Sequence, residues 1–504
     1  MKYLFIFILS FSILLGFQHQ TATAHSLEKE EMTSLWIKQY RTLHAGSPYV
    51  IEPKLSAPQV LGKLDEVYLD DALRTTNFVR LLTGLPANVR LVDSLNSKAQ
   101  HGAILLAMYG NLSHYPTRPI DLDEEFYNIG YKSTSTSNIA AGFATIETSI
   151  RKGYMEDGDL SNLDRVGHRR WVLDPYLQTT GFGFAENVKT SYGRFMSMQV
   201  INRDPKTLVI DYDYVAYPSA GNFPLEYFGE NYPWSISLNP QKYQKPLLND
   251  VSIKLTRASD SKVWYLDKSD NILRNNTEYF NVDHGGYGGS SSIIFRAPIK
   301  EILSGDQFTA EIDGLKNIHG EEVSVSYSVN FFNMIKSLTI ESEKDSQKSS
   351  DRIHYQVWLH LMSGEKLNIT DEVEIEAAAW DVDSSTSHNG QFDISHIKDK
   401  YNEVGLNGCY YDICSEKEII VDNEPPKLYG VRNKTIYLNQ SFNSMSHVKA
   451  EDKVDGDLTK AIKIDGKINR KKTGKYTLSY SISDKVGNHV TKNRIITVKK
   501  VKKK

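Results

Sequence analysis

Apolar positions change their period once along the chain. From about residue 61 to residue 110 they recur at helical spacing, and beyond about Met196 they alternate with period two, broken by Gly, Pro, Asn and Asp. Leu69, Ala72, Leu73, Thr76, Val79 and Leu82 fall on one stripe and predict a helix, which Gly84-Leu85-Pro86 stops. A second helix is predicted to start after Asp93 or Ser94, either able to cap it. It would bury Leu95, Ala99, Ala103, Leu106 and Ala107 and end near Gly110, leaving Ser113-His114-Tyr115-Pro116 in a loop. Farther on, Val251, Ile253 and Leu255 alternate, as do Val323, Val325, Tyr327 and Val329, which predicts half-buried strands. A hydrophilic run at 342–351 reads as a link before a β-segment containing Tyr355, Val357 and Leu359, and Glu424-Pro425-Pro426 reads as a second boundary.

The N-terminus adds a compartment. Met1-Lys2 is a short positive start, Tyr3 to Phe17 is an almost unbroken apolar run, and Ala22-Thr23-Ala24 is an A-x-A cleavage site, together the pattern of a secretory signal peptide. The run is short of the ~20 residues a membrane span needs, and no second apolar span follows. The mature chain is expected to begin near His25 and to be secreted, extracellular or loosely wall-associated, with no transmembrane anchor after cleavage. At the other end the lysines of 499–504 read as a frayed, solvated tail, with attraction to an anionic wall or lipid surface as the functional alternative.

Length and composition fit this layout: 504 residues suggest roughly three or four domains. A net charge of −3 with no dense basic stripe disfavours a dedicated nucleic-acid binder. The two cysteines exclude a cysteine-built zinc site and a disulfide-stapled scaffold. Cys409 and Cys414 flank Tyr410-Tyr411-Asp412-Ile413, so in an exported chain a local disulfide closing a short turn is favoured, with free thiols or a reactive pair as the alternative.

Candidate chemistry sits in the helical stretch. Gly167-His168-Arg169-Arg170-Trp171-Val172-Leu173-Asp174-Pro175, followed by Gly181-Phe182-Gly183, puts an imidazole and two guanidiniums before an apolar element. Taken alone, it reads as a packed Trp171 with Arg170 satisfying carbonyls or a carboxylate. The hydroxyl run from Ser133 to Ser137 invites a serine-nucleophile reading, but nothing resembling a nucleophile elbow surrounds it and a self-bonded loop is the simpler account. His284-Gly285-Gly286-Tyr287-Gly288-Gly289 lacks the lysine and helix of a phosphate-binding loop and reads as a mobile β-connection.

From about residue 61 to residue 204 the chain resembles the CAP superfamily of cysteine-rich secretory, antigen 5 and pathogenesis-related 1 proteins. The carriers are the run from Leu73 to Arg80, Ala99-Gln100-His101-Gly102-Ala103, Leu112-Ser113-His114, Ser137-Asn138-Ile139-Ala140-Ala141-Gly142, Gly167-His168-Arg169 and Gly181-Phe182-Gly183. The resemblance implies an α-β-α sandwich whose cleft presents two histidines and two glutamates. Carried across, it gives His114 and His168. Ser137 stands where the first glutamate is expected, and Asp157 or Glu156 serves as the second carboxylate. Two neutral imidazoles can ligate Zn²⁺ or another divalent ion, with the carboxylate as third ligand or base, although the serine at 137 removes one such group.

The segment from Pro425 to about Val498 resembles bacterial immunoglobulin-like surface modules, through the run from Lys449 to Thr459, Gly474-Lys475-Tyr476-Thr477-Leu478-Ser479-Tyr480 and Asp484-Lys485-Val486-Gly487-Asn488. Here Tyr476, Leu478, Tyr480 and Ile482 alternate toward one face, and Asp455-Gly456 and Gly487-Asn488 mark turns. Asp452, Asp455, Asp457 and Asp484 are candidate Ca²⁺ ligands, although Asx turns account for most of them.

The expected architecture is therefore a multidomain α+β chain: signal peptide 1–24, N-terminal extension 25–60, CAP-like α-β-α domain 61–215, β-rich accessory domain 216–335, immunoglobulin-like module 336–424, bacterial immunoglobulin-like domain 425–500 and basic tail 501–504, making two or three β-sandwich-like modules after the first domain. The expected function is binding of a ligand, peptide, lipid or cell-surface component at the CAP cleft, with β-modules as spacers or adhesive units. The alternative is a metal-dependent extracellular hydrolase using His114 and His168. Binding is preferred because of Ser137 and the multi-module layout.

Overall fold

The structure is a computed structural model that describes residues 27–201, 211–274, 277–379 and 382–501. The expected leader with its cleavage site, and Lys502 to Lys504 of the tail, lie outside the described residues. The chain divides into two compact units, one built from residues 48–334 with the segment ending at Thr42, the other from residue 335 onward with Leu43–Ser47. Most of its regular structure is β-sheet. Among the described residues no helix is long and apolar enough to cross a membrane.

The first unit opens with an α/β part. A three-stranded antiparallel sheet has the order Ser137–Ala141, Gly193–Gln199, Phe182–Asn187. Successive strand residues face opposite sides. On one side Ile139, Ala185 and Phe195 meet Ala103, Ile104, Leu106 and Ala107 of the Asp93–Tyr109 helix. On the other, Phe184 meets Tyr68 of the Glu66–Leu82 helix edge-on, ring centres 5.6 Å apart. Close approach on the first side explains the glycines of the Gly181-Phe182-Gly183 motif. A Cβ at Gly183 would stand 2.3 Å from the Ala99 backbone, and one at Gly181 would stand 2.2 Å from that of Leu95. Gln100 then ties helix to strand, its amide donating to Phe184 O (2.8 Å) while its carbonyl accepts from Phe184 N (2.9 Å).

Both helices run as the spacing predicts, with adjustments. Asp65, not a residue of the apolar stripe, caps Glu66–Leu82 through Val67 N. Leu69 and Leu73 are only half-buried, because Asn77, Phe78 and Arg80 are buried as well. Asp93 is the first helical residue of its helix and the cap is Val92, so neither Asp93 nor Ser94 caps. Gly110 ends that helix in the left-handed conformation, φ 79°.

The remainder of the first unit is a β-sandwich. One sheet runs Tyr279–Asp283, Ser292–Arg296, Trp234–Leu238, Tyr214–Tyr217, and the other Lys262–Leu266, Ser252–Arg257, Gln307–Lys316, Glu322–Phe332, Gly221–Pro224. Trp234 sits at its centre, with Phe295, Phe308 and Phe331 5.8, 5.9 and 6.2 Å away. The sandwich is fastened to the α/β part by the Gly-His-Arg-Arg segment. Buried Arg169 donates to Pro233 O (2.5 Å) and Ser235 Oγ (3.1 Å), and Arg170 pairs with Asp283 and donates to Ser290 O. Trp171 is half-buried against Tyr287 rather than forming the core. Within the glycine run 284–289, Gly288 approaches this segment closely, since a Cβ there would meet Arg170 O at 2.4 Å, whereas Gly286 stands open. The extension expected at 25–60 contributes to this unit as well. Trp36 is fully buried and its Nε1 donates to Tyr227 OH at 3.3 Å.

The second unit holds two β-modules. In the first, Ile335–Ser342, Arg352–Leu361 and Lys366–Asn368 form one sheet, and Ser346–Gln347, Ile413–Asp422, Tyr401–Tyr410, Ile375–Ala379 and Val382–Ser387 form another. The hydrophilic run at 342–351 is therefore no linker: it lies inside this module and contributes the Ser346–Gln347 strand. Its lack of apolar residues reflects an exposed edge. The last module has the core Leu428, Ile436, Val448, Ala450, Leu478, Tyr480, Ile482, Ile496 and Val498. Leu478, Tyr480 and Ile482 are buried as the alternation predicts, and Tyr476 is half-buried.

Candidate functional site

His168 is the second residue of the short Gly167–Val172 helix, and its Nδ1 lies 2.7 Å from Asp157 Oδ1. The other oxygen of Asp157 accepts the Arg169 backbone N–H at 2.9 Å, so one buried carboxylate both orients the ring and anchors the helix. Backbone strain surrounds this arrangement. Asp157 has φ 47°, and Val166, directly before the helix, has φ 42°, a left-handed conformation that a β-branched residue adopts only at a cost. Tyr154 lies against the imidazole, ring centres 5.5 Å apart, and its hydroxyl donates to Asn138 O. Asn138 in turn donates to His168 O at 2.9 Å.

His114 follows the Asp93–Tyr109 helix in the loop the spacing predicts. Its Nδ1 lies 2.7 Å from Thr134 O, and Thr134 Oγ1 donates back to His114 O at 3.0 Å. A carbonyl only accepts, so the His114 Nδ1 carries the hydrogen and Nε2 is left with its lone pair when the ring is neutral. The two histidines are shifted in opposite directions. Partial burial, only partly opposed by Thr134 O and reinforced by His168 and Arg165, holds His114 below the ordinary histidine value. His168 is also penalised by burial, but the charge and hydrogen bond of Asp157, with Asp159 adding, outweigh this and raise it.

Of the carboxylates left open by the sequence, Asp157 is the one bonded to His168. Glu156 reaches the site through its main chain, its carbonyl accepting from Arg169 at 2.6 Å, and burial raises its carboxyl above the usual range. Ser137 is 4% exposed, and its hydroxyl accepts from Ser197 (2.9 Å) and Gln199 (2.5 Å), so it belongs to an internal hydroxyl cluster rather than to an open cleft wall. The neighbouring hydroxyls are similarly engaged, with Ser133 bonded by Gln199 and Thr136 by Lys98. Tyr154, Asp159 and Arg165 were not identified from the sequence. The signal for Asp159 was its Asx turn, Ser161 N donating to Oδ1 at 2.9 Å, two residues past Asp157.

Each imidazole is thus held through its Nδ1, which leaves Nε2 as its remaining ring nitrogen. Among the described residues, the group of three or more His, Cys, Asp or Glu ligand atoms within 4.8 Å of one another is Asp422, Asp452 and Asp484, in the second unit. Neither histidine belongs to that group. In the same unit Cys409 and Cys414 form the disulfide, directly opposed across the hairpin of Tyr401–Tyr410 and Ile413–Asp422. Tyr411 and Asp412 make its two-residue turn with φ 47° and 69°, as the tight hairpin geometry requires.

Residues 426–498 match the family described as bacterial surface protein, Ig-like domain. No curated protein sequence matches the chain. Among solved structures it is similar to the CBM51-2 and INT domains of Clostridium perfringens ZmpB, at 26% identity over 15% of this chain and 16% of that one, TM-score 0.14. The N-terminal part of the bacterial S-layer protein SbsC is similar at 13% identity over 38% of this chain and 40% of that one, TM-score 0.17. The D1–D4 ectodomain fragment of ICAM-5 is similar at 11% identity over 64% and 91%, TM-score 0.20. The chain thus spans less than half the length of the ZmpB and SbsC structures, and none of these likenesses bears on function.

Proposed function

We propose that the chain is an extracellular surface protein whose α/β part is a CAP-type domain holding a polar ligand against His114 and His168, with the later β-modules as spacers or adhesive units. The domain limits are those read from the sequence: 61–215, 216–335, 336–424 and 425–500. The CAP reading is supported by a helix on each side of the three-stranded sheet, through the Tyr68 to Phe184 and Ala99 to Gly183 contacts. Surface location is supported by the Ig-like match at 426–498 and by the secretory pattern of the first residues.

The observation that carries the binding reading is that each imidazole is oriented through its Nδ1. Each Nδ1 is occupied, by Thr134 O and by Asp157, so each Nε2 is the atom offered to a ligand. Neutral His114 offers an acceptor, and His168, held toward its charged form, offers a donor. A ligand bearing a hydroxyl or amide beside a carbonyl or carboxylate matches that pair. The same opposed titration favours hydrolysis as a second reading, because it assigns one imidazole as base and the other as acid.

The test is cosedimentation of the full chain with purified bacterial cell walls and, separately, with phosphatidylglycerol vesicles. Retention on either that falls at least about tenfold in a His114→Ala/His168→Ala variant with unchanged circular dichroism supports the reading. Retention on neither, or equal retention of the variant, overturns it.

A further inference from the structure

The second unit contains a carboxylate cluster that the proposed function does not use. Asp422 ends the Ile413–Asp422 strand of the first β-module, Asp452 ends the Lys449–Asp452 strand of the last one, and Asp484 follows the Gly474–Ser483 strand. One oxygen from each lies within 4.8 Å of the others, and Asp422 and Asp484 are only 2% and 7% exposed. Three carboxylates this close, two of them almost completely buried, repel one another strongly.

Their hydrogen bonds do not remove the conflict. In each residue the backbone bonds use Oδ1: Glu424 N reaches Asp422 at 3.0 Å, Val454 N and Asp455 N reach Asp452 at 2.8 and 2.9 Å, and Asn488 N reaches Asp484 at 2.7 Å. The buried Oδ2 of Asp484 has no partner at all. A buried acceptor without a donor is rare and marks a missing ligand or stored strain. Among the described residues no lysine or arginine pairs with any of the three. The lysines that follow Asp484 and Asp452 in sequence are engaged elsewhere: Lys485 Nζ pairs with Asp455 at 2.9 Å, and Lys453 Nζ stands over the Tyr401 ring at 3.4 Å.

We propose that Asp422, Asp452 and Asp484 bind one Ca²⁺ ion at the joint between the last two β-modules. The donors are all hard oxygens, which suit Ca²⁺ and not a nitrogen- or sulfur-seeking metal. Two oxygens each ~2.4 Å from one ion stand at most ~4.8 Å apart, so the observed cluster meets the distance condition without rearrangement. Backbone carbonyls and water complete the six to eight ligands that Ca²⁺ takes. Because Asp422 comes from one module and Asp452 and Asp484 from the next, the ion crosses the short link that holds Glu424 and Pro425. It neutralises the repulsion on both sides and stiffens the joint. This inference stands apart from the reading of the histidine cleft, which involves neither these residues nor this unit.

The test is calorimetric titration of the EDTA-treated full chain with CaCl₂, with thermal unfolding recorded in parallel. The expected result is a binding event with Kd below about 1 mM that raises the unfolding temperature of the second unit, as suits an extracellular module. Asp484→Asn keeps the Oδ1 acceptor for Asn488 N and removes one charge. It should weaken Ca²⁺ at least about tenfold yet unfold at the same or a higher temperature than the native chain in EDTA. Asp452→Asn provides the same comparison if Asp484→Asn fails to fold. The proposal is overturned if no heat or thermal shift appears at about 10 mM Ca²⁺, if the folded variant binds as tightly as the native chain, or if Mg²⁺ gives an equal shift at equal concentration.

Discussion

Arg169→Met isolates what the Gly-His-Arg-Arg segment contributes to the first unit. Arg169 is completely buried, and its guanidinium donates to Met155 O (2.8 Å), Glu156 O (2.6 Å), Pro233 O (2.5 Å) and Ser235 Oγ (3.1 Å) while lying 4.7 Å from the centre of the Tyr217 ring. Methionine fills much of the volume but supplies no donor, so the carbonyls of Met155, Glu156 and Pro233 each lose one. They are backbone groups and cannot be replaced, which distinguishes this case from an ion pair exchanged whole for apolar residues. An orphaned buried carbonyl costs about 1–3 kcal/mol, about 6 kcal/mol for the three at mid-range, and the relief of no longer burying a charge offsets about half of the sum. The net is a loss of about 3 kcal/mol. At roughly 2 °C per kcal/mol for a large domain, differential scanning calorimetry of the full chain should show the first unit's transition lowered by about 6 °C, with the second unit's unchanged. A shift below about 1 °C would refute the argument that this guanidinium fastens the sandwich to the α/β part.

Further outcomes follow from other contacts. Gly183→Ala places a Cβ 2.3 Å from the Ala99 backbone, and because neither strand nor helix can yield cheaply it should cost about 3 kcal/mol, read by urea denaturation. His168 is raised in the folded state, so its stabilising contribution is complete below about pH 6.5 and fades as pH rises through the folded value; Asp157→Asn should flatten that slope between about pH 6 and pH 8, measured as unfolding free energy at each pH. Removing the Cys409 to Cys414 disulfide by double substitution to serine should cost about 2 kcal/mol, the small figure expected for so short a closed loop, and intact mass of the native chain should lie two hydrogens below the reduced form.

Elements held together by neighbours in sequence were legible without the structure. The Glu66–Leu82 and Asp93–Tyr109 helices, the left-handed stop at Gly110, the tyrosine and leucine alternation of Gly474–Ser483 and the hairpin disulfide all follow from local spacing. Errors arose where a long-range partner decided the outcome. Trp36, within the stretch expected as an N-terminal extension, is buried through Tyr227, 191 residues away. The polar run at 342–351 looks like a linker because the strand Ser346–Gln347 gains its hydrogen bonds from Ile420 and Val421. Asp422 drew no notice because it reads as the end of a strand, and its meaning depends on two aspartates from the following module.

The candidate site shows why its residues were half-legible. The Gly-His-Arg motif marks a position but not a task, since adjacent side chains on one helical turn do different work: His168 turns to Asp157 while Arg169 turns to Pro233 and Ser235. Asp157 joins the two roles, because its second oxygen holds the Arg169 N–H and its first holds the imidazole. The ring orientation therefore depends on the same short helix that the guanidinium fixes to the sandwich. A motif of this kind is constrained from two directions, by packing through Arg169 and by chemistry through His168. It follows that Arg169→Met should disturb the site as well as the stability: the His168 imidazole should titrate closer to the ordinary value of 6.5 as its contact with Asp157 loosens, a change that NMR titration of the ring protons reads independently of unfolding. An unchanged titration in the folded variant would mean that Asp157 alone orients the ring and that the sandwich contributes only stability.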